Sequence, residues 1–166
     1  MSKLTIVHLY PQEMNIYGDR GNVLTFSKRL QWRGIEHNVV EVGVGHQYDF
    51  TEADIIFGGG GQDKGQIAVA EDLATKANSL REAAANGVTM LMICGMYQLF
   101  GHGFQPSEGT YLKGIGVFDA STIAGKDRLI GNVVVDTAWG QLVGFENHSG
   151  VTTLGDNQPA LGSVRM

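Results

Sequence analysis

Val88-Thr-Met-Leu-Met-Ile-Cys94 runs directly into Gly95-Met-Tyr-Gln-Leu-Phe-Gly101, and the order of these residues decides the fold. Residues 88–93 are apolar or β-branched, with the length of a buried strand. The run stops at a small nucleophile, then glycine, then a helix-compatible stretch. A strand that turns sharply into a helix at such a residue is a nucleophile elbow. It lifts the side chain to the carboxyl end of a parallel sheet and aims the positive start of the next helix at a thiolate. Cys94 is the single cysteine of the chain. An isolated cysteine reads as a small core residue, but these flanks favour the nucleophile.

Upstream, Leu4–Leu9 is a short apolar run with a β-branched centre, a first strand, and the turn-rich segment 10–22 after it reads as a long functional loop. Val23, Leu24, Phe26, Leu30 and Trp32 suit an amphipathic helix from Asn22 to Arg33, with Gly34 as its C-cap. Strands are predicted over Ile35–Val44 and Ala53–Phe57. A long alanine-rich helix over Gln66–Asn86, ended by Gly87, leads into the strand Val88–Ile93. This β-α-β-β-α-β order with nearly continuous apolar strands argues an α/β fold: an open, mostly parallel sheet with helices on both faces. Beyond Gly101, Ile115–Phe118, Leu129–Val135 and Gln141–Glu146 read as further strands, antiparallel in part. Gly155–Met166 reads as loop. A doubly wound sheet ordinarily closes with another strand and helix, so 1–166 is expected to be a single domain lacking its C-terminal strand and helix.

Composition narrows the function classes. The 166 residues carry 12 basic and 17 acidic side chains, a formal net charge of −5. With no basic cluster longer than Lys28-Arg29, nucleic acid is not an expected partner. No stretch approaches the about 18 apolar residues that would predict membrane insertion. One cysteine gives no disulfide framework, which fits a reducing cytoplasm.

Phe57-Gly-Gly-Gly-Gly-Gln-Asp-Lys64 is the second signal. Four glycines after a strand expose backbone amides and reach positive φ, which makes an anion-binding nest; a flexible turn is the competing reading. The loop lacks the Lys-Ser/Thr of a P-loop and does not fit G-x-G-x-x-G, so a nucleotide site is disfavoured. At the carboxyl edge of the sheet, one amide from this loop and one from Gly95 could hold a tetrahedral oxyanion.

Ile93–Gly101 resembles the nucleophile motif of class I glutamine amidotransferases, in particular the cobyric acid synthase-like branch, where Gly-x-Tyr-Gln follows the cysteine. Gly58–Asp63 is similar to that branch's Gly-Gly-Gly-Gln-Asp loop, and Phe145-Glu-Asn-His-Ser-Gly150 to its Tyr-Glu-x-His-x-Gly segment. Asn15-Ile-Tyr-Gly-Asp-Arg-Gly-Asn22 resembles the GatD-type glutaminase subunits of lipid II isoglutaminyl synthases, which pair with a MurT-like subunit of the Mur-ligase type.

The resemblance implies a flavodoxin-like glutaminase fold, glutamine as substrate, no cofactor and no metal. It implies that Cys94 forms a glutamyl thioester and releases ammonia, with the oxyanion held by Gly95 and by Gly60 or Gly61. Gln98 matches the glutamine-ligand position, one helical turn from Cys94. Arg128 matches an arginine expected to hold the α-carboxylate; by itself it reads as a solvated charge at a strand start. Ser149 and its neighbours resemble a segment whose backbone binds the glutamine head group. Asp19 is either an orienting carboxylate or a plain turn aspartate.

The sequence departs from the pattern at the base. Class I glutaminases place a histidine after a further strand near the C-terminus, and none of His8, His37, His46, His102 and His148 lies in such a context. His8 and His37 fall in strand patterns and read as satisfied structural residues, and His148 is the weak candidate for a substitute. The functional expectation is a glutaminase subunit that passes ammonia to an ATP-dependent MurT-like ligase amidating the D-glutamate of lipid II. Glutaminase work in cobyrinate or cobyric acid amidation, and a non-catalytic glutaminase-like scaffold, are the alternatives.

Overall fold

The computed structural model describes residues 3–61 and 63–165. Its first sheet is parallel, with strands β1 (Leu4–Leu9), β2 (His37–Val42), β3 (Ile55–Gly58) and β4 (Thr89–Met92) in the order β2-β1-β3-β4. Helix α1 (Asp19–Trp32) connects β1 to β2, and α2 (Asp63–Ala85) connects β3 to β4. Parallel neighbours need such crossovers, and each crossover helix covers one face. In β1, Ile6 packs with Val23 and Leu30 of α1 and with Phe57 of β3. Val7 and Leu9, pointing the other way, join Val69, Leu73 and Leu80 of α2. Both faces of β1 are therefore buried, which is why it reads as a nearly continuous apolar run, whereas the edge strands β2 and β4 leave Val39 and Leu91 exposed.

The parallel arrangement brings the carboxyl ends of β1, β3 and β4 to one edge. The two non-glycine residues with positive φ among those described, Tyr10 (φ 52°) and Cys94 (φ 52°), both sit at this edge, just after β1 and β4. A network at the same edge ties α2 to β1. Tyr10 donates its hydroxyl to Asp72 Oδ2 at 2.6 Å, the Gly45 N–H donates to Asp72 Oδ1 at 2.8 Å, and buried Lys76 pairs with the same carboxylate. Burial pushes the Asp72 carboxyl up, but the hydrogen bonds from Lys76, Tyr10 and Gly45 prevail and hold it below the ordinary carboxylate range.

Past the elbow helix α3 (Gly95–Phe100) the chain builds a second sheet of β5 (Gly103–Gln105), β6 (Leu112–Lys113), β7 (Ala120–Thr137), β8 (Gly140–Leu154) and β9 (Gly162–Arg165). Its core is the long antiparallel hairpin β7–β8, with β9 antiparallel to the far end of β7. Three expectations are corrected here. Ile115–Phe118 is not a strand: its amides bond back to the carbonyls of Leu99, Phe100 and Gly101 and wrap it around the end of α3. The strands expected at 129–135 and 141–146 are the turn-proximal parts of much longer ones. Gly162–Arg165, within the expected loop, is a strand. Among the described residues no helix is long and apolar enough to cross a membrane.

Candidate active site

Cys94 follows β4 directly and precedes the first residue of α3, with φ 52° and ψ −111°. A side-chain-bearing residue in this region costs of order 1–3 kcal/mol and persists only where its surroundings enforce it. Here the Ile93 N–H donates to the Gly58 carbonyl at 2.8 Å, extending the β3–β4 pairing to the elbow, and the Gln98 N–H donates to the Cys94 carbonyl at 3.1 Å. The turn ejects the thiol from the sheet, and Cys94 is exposed.

The glycine loop after β3 lies against the elbow. Gly58 to Gly61 are all buried, and a Cβ on Gly60 would come within 3.3 Å of the Cys94 Cβ and 2.5 Å of the Tyr17 ring. Only a residue without a side chain lets the loop, the elbow and Tyr17 approach this closely. Asp19, the buried first residue of α1, anchors the arrangement: its Oδ2 accepts from the Gly60 N–H at 3.1 Å and from the Tyr17 N–H at 3.4 Å. Asp19 thus makes one contact across 41 residues, to the glycine loop, and one local contact at the start of α1. The contact to the loop changes the expectation for Gly60. Its N–H donates to the Asp19 carboxylate in this arrangement. Gln62 of the loop motif lies outside the described residues.

Tyr17 closes this side of the site, and sequence reasoning had not singled it out. The Cys94 thiol donates to its hydroxyl oxygen across 3.8 Å, its one side-chain hydrogen bond among the described residues. That bond, with the neighbouring Cys94 sulfur, holds the phenol above its ordinary value of 10, while the Arg128 charge acts in the opposite sense. Arg128 lies on β7 of the hairpin. Its Nε donates to Asn147 Oδ1 at 2.8 Å, and its side chain is exposed.

An irregularity in the hairpin groups the remaining candidates. Ala124 pairs with Gly150 and Leu129 with His148, so residues 125–128 on β7 stand opposite Ser149 alone on β8. Bulges of this kind re-aim side chains and recur beside functional sites. Arg128 and Ser149 share this one, and a Cβ on adjacent Gly150 would lie 3.6 Å from Gln98 Nε2. Gln98 itself accepts at Oε1 from Nε2 of buried Gln66, at 2.8 Å. Gln66 is the second residue that sequence reasoning passed over; its only signal was a polar side chain opening an otherwise apolar helix face.

None of the five histidines hydrogen-bonds Cys94 among the described residues. His8 is buried in β1 beside Phe57, and burial lowers its pKa against the opposing Glu41 and Asp19 charges. The expectation that it is satisfied is corrected, since its Nε2 has no partner among the described residues. His37 bonds Ser27 and the Ile35 carbonyl, and His46 accepts from the Gly43 N–H. His102 bonds Asp119, holding that carboxyl below its ordinary value. His148 lies 3.1 Å from both Glu146 and the Gly150 carbonyl. A groove of about 800 Å³ between α2 and residues 109–115 shares no residue with this site.

The site as assembled offers an exposed thiol on a strained turn, packed against a glycine loop and standing at a helix start, with the Gln98 amide one helical turn along. Comparison with known proteins gives this geometry a context. Residues 5–166 match the CobB/CobQ-like glutamine amidotransferase domain. The GatD subunit of the glutamine-hydrolyzing lipid II isoglutaminyl synthase of Staphylococcus aureus (strain N315) is 39% identical over 153 residues, 92% of this chain and 63% of that protein. Its namesake from Streptococcus pneumoniae (strain ATCC BAA-255 / R6) is 36% identical over 168 residues, 98% of this chain and 64% of that protein. The chain thus spans a little under two thirds of the length of these relatives. A cobyric acid synthase of Dehalococcoides mccartyi is 32% identical over 99 residues, 51% of this chain and 20% of that protein. A solved glutamine amidotransferase structure superposes with a TM-score of 0.56 at 14% identity, over 96% of this chain and 79% of its own, a likeness of fold. By the match along nearly its whole length, the chain belongs to the CobB/CobQ-like glutamine amidotransferase family.

Proposed function

We propose that this chain is the glutaminase part of a lipid II isoglutaminyl synthase. The observation that carries the reading is the exposed Cys94 thiol on its strained elbow, directly against the glycine loop. The similarity to two GatD subunits supports the same class of substrate. In this account Cys94 attacks the side-chain carboxamide of glutamine, forming a C–S bond and a tetrahedral oxyanion; collapse expels ammonia and leaves a glutamyl thioester, which water cleaves to glutamate.

The Gly95 N–H, one of the donors that every helix start leaves free of intrahelical partners, takes the oxyanion together with the Gly61 N–H. Gly60 contributes by shape, because its own N–H is held by Asp19. The Arg128 guanidinium holds the substrate α-carboxylate, with Gln98 and the Ser149 segment completing the pocket and His148 at its rim. Turnover further requires a proton acceptor beside Cys94, a place that none of the five histidines occupies in this arrangement.

Ammonia then passes to a MurT-like, ATP-dependent ligase subunit that amidates the D-glutamate of lipid II. A lone, exposed and unpaired cysteine suits a reducing cytoplasm. The partial similarity to a cobyric acid synthase favours a second reading, in which the acceptor is a cobyrinate carboxylate. Glutamate release from glutamine, measured on the protein with and without a Mur-ligase-type partner, tests the account. Release should disappear in Cys94→Ser, and undiminished release in that variant refutes the nucleophile assignment.

A further inference from the structure

We propose that Gln66 is a positioning residue that fixes the side-chain amide of Gln98 so that its Nε2, and not its Oε1, faces the glutamine pocket. The inference rests on the glutaminase reading above and adds to it the device that sets the hydrogen-bond polarity of one pocket wall. A glutamine amide has a donor end and an acceptor end of nearly equal shape, so an unsupported Gln98 presents either. Gln66 removes that freedom. It is 3% exposed, it stands in the first turns of α2, and its Nε2 donates to Gln98 Oε1 at 2.8 Å.

With the acceptor end occupied, the Gln98 donor end is left toward the hairpin, where a Cβ on Gly150 would lie 3.6 Å from it. The pocket wall between α3 and the bulge is thereby a donor wall, matched to a carboxylate or carboxamide oxygen of an amino acid. The elbow makes room for this lock. A Cβ on Gly95 would come within 2.4 Å of Gln66 Nε2, so the glycine after the nucleophile serves the approach of Gln66 as well as the backbone turn.

Two variants separate orientation from shape. Gln66→Leu removes the donor, whereas Gln66→Glu keeps the shape and replaces the donor with acceptors, which turns the Gln98 amide round. The side-chain NH2 resonances of Gln98, assigned by their loss in Gln98→Ala, report the lock directly. L-Glutamine affinity, titrated by NMR in a Cys94→Ala background, reports its consequence. Both variants should shift the Gln98 NH2 pair and weaken glutamine binding about tenfold. Alkylation of Cys94 by iodoacetamide, measured with the cysteine retained, should stay within about twofold of the parent protein.

Unchanged Gln98 resonances, or a Gln66→Glu protein that binds glutamine like the parent, overturn the inference. Should the Cys94→Ala protein bind no glutamine at all, the proposed function fails and the role in binding falls with it, while the Gln98 resonances still decide the lock.

Discussion

Asp19→Ala is the perturbation whose consequence can be worked furthest from the structure. The carboxylate is buried and accepts from the Gly60 N–H at 3.1 Å, inside the protein, and from the Tyr17 N–H at the longer 3.4 Å. A hydrogen bond to a charged group contributes about 1.5–3 kcal/mol, and a buried donor left unpaired costs about 1–3 kcal/mol. Discounting the longer contact leaves a loss of about 2 kcal/mol, to which removing a carboxylate from the first turn of α1 adds a few tenths. At about 2–4 °C per kcal/mol for a chain of this size, the melting temperature should fall by about 4–8 °C. Asp19→Asn keeps an acceptor oxygen without the charge and should lose about half as much. The same substitution frees the loop and Tyr17 from each other, so the iodoacetamide reactivity of Cys94 should change in Asp19→Ala as well. Calorimetric melting with parallel thiol alkylation is the assay. A melting temperature within about 1 °C of the parent protein, with unchanged alkylation, refutes the claim that this carboxylate holds the glycine loop in place.

Asp72→Ala strips buried Lys76 of its counter-charge and should cost about 3–5 kcal/mol, most of it recovered in Asp72→Ala/Lys76→Met, where no charge is left buried; a single-variant loss below about 1 kcal/mol contradicts this. Because burial depresses the His8 pKa below its ordinary 6.5, the unfolded chain takes up that proton first. Stability should then fall as pH drops from about 7.5 to 5.5, with a smaller fall in His8→Phe; equal slopes in the two proteins would show that His8 is not the group responsible. Gly58→Ala puts a Cβ within 2.4 Å of Met96 Cγ and 2.8 Å of Met92 Sδ and should cost about 1–3 kcal/mol by overpacking. Gly21→Ala, in α1 with open space around the new methyl, should stabilise by about 0.4–1 kcal/mol, and denaturant melts that fail to separate the two substitutions refute the packing argument.

The parallel sheet was legible because its residues obey a local rule. Its strands are marked by short, mostly apolar runs bounded by turn residues, and Leu4–Leu9 and 88–93 could be placed to within two residues. The hairpin was legible only in part: 129–135 and 141–146 read as strands, but the polar, glycine-broken stretches 125–128 and 146–150 interrupt any period, so nothing local marks where a strand of 18 residues begins and ends. Its bulge adds Lys126, Asp127 and Arg128 in a row, which reads as a loop in sequence. At the site, Cys94, Gly95 and the glycine loop announce themselves through residue types that few other roles require. Gln66 and Tyr17 do not, since their contacts to Gln98 and Cys94 span 32 and 77 residues and follow only from the packing of α2 and of the loop before α1 onto the elbow. The occupation of the Gly60 amide by Asp19 is long-range in the same way. A run of glycines shows that amides are exposed, not which of them a carboxylate has already taken.

The central claim is that Cys94 is a nucleophile set in a glutamine pocket. Incubation with the glutamine analogue 6-diazo-5-oxo-L-norleucine, followed by intact mass and peptide mapping, tests it most directly. The account predicts one adduct per chain, on the peptide that carries Cys94, suppressed by excess L-glutamine but not by L-asparagine. An unlabelled protein whose Cys94 still reacts with iodoacetamide, or labelling that glutamine does not suppress, would contradict it.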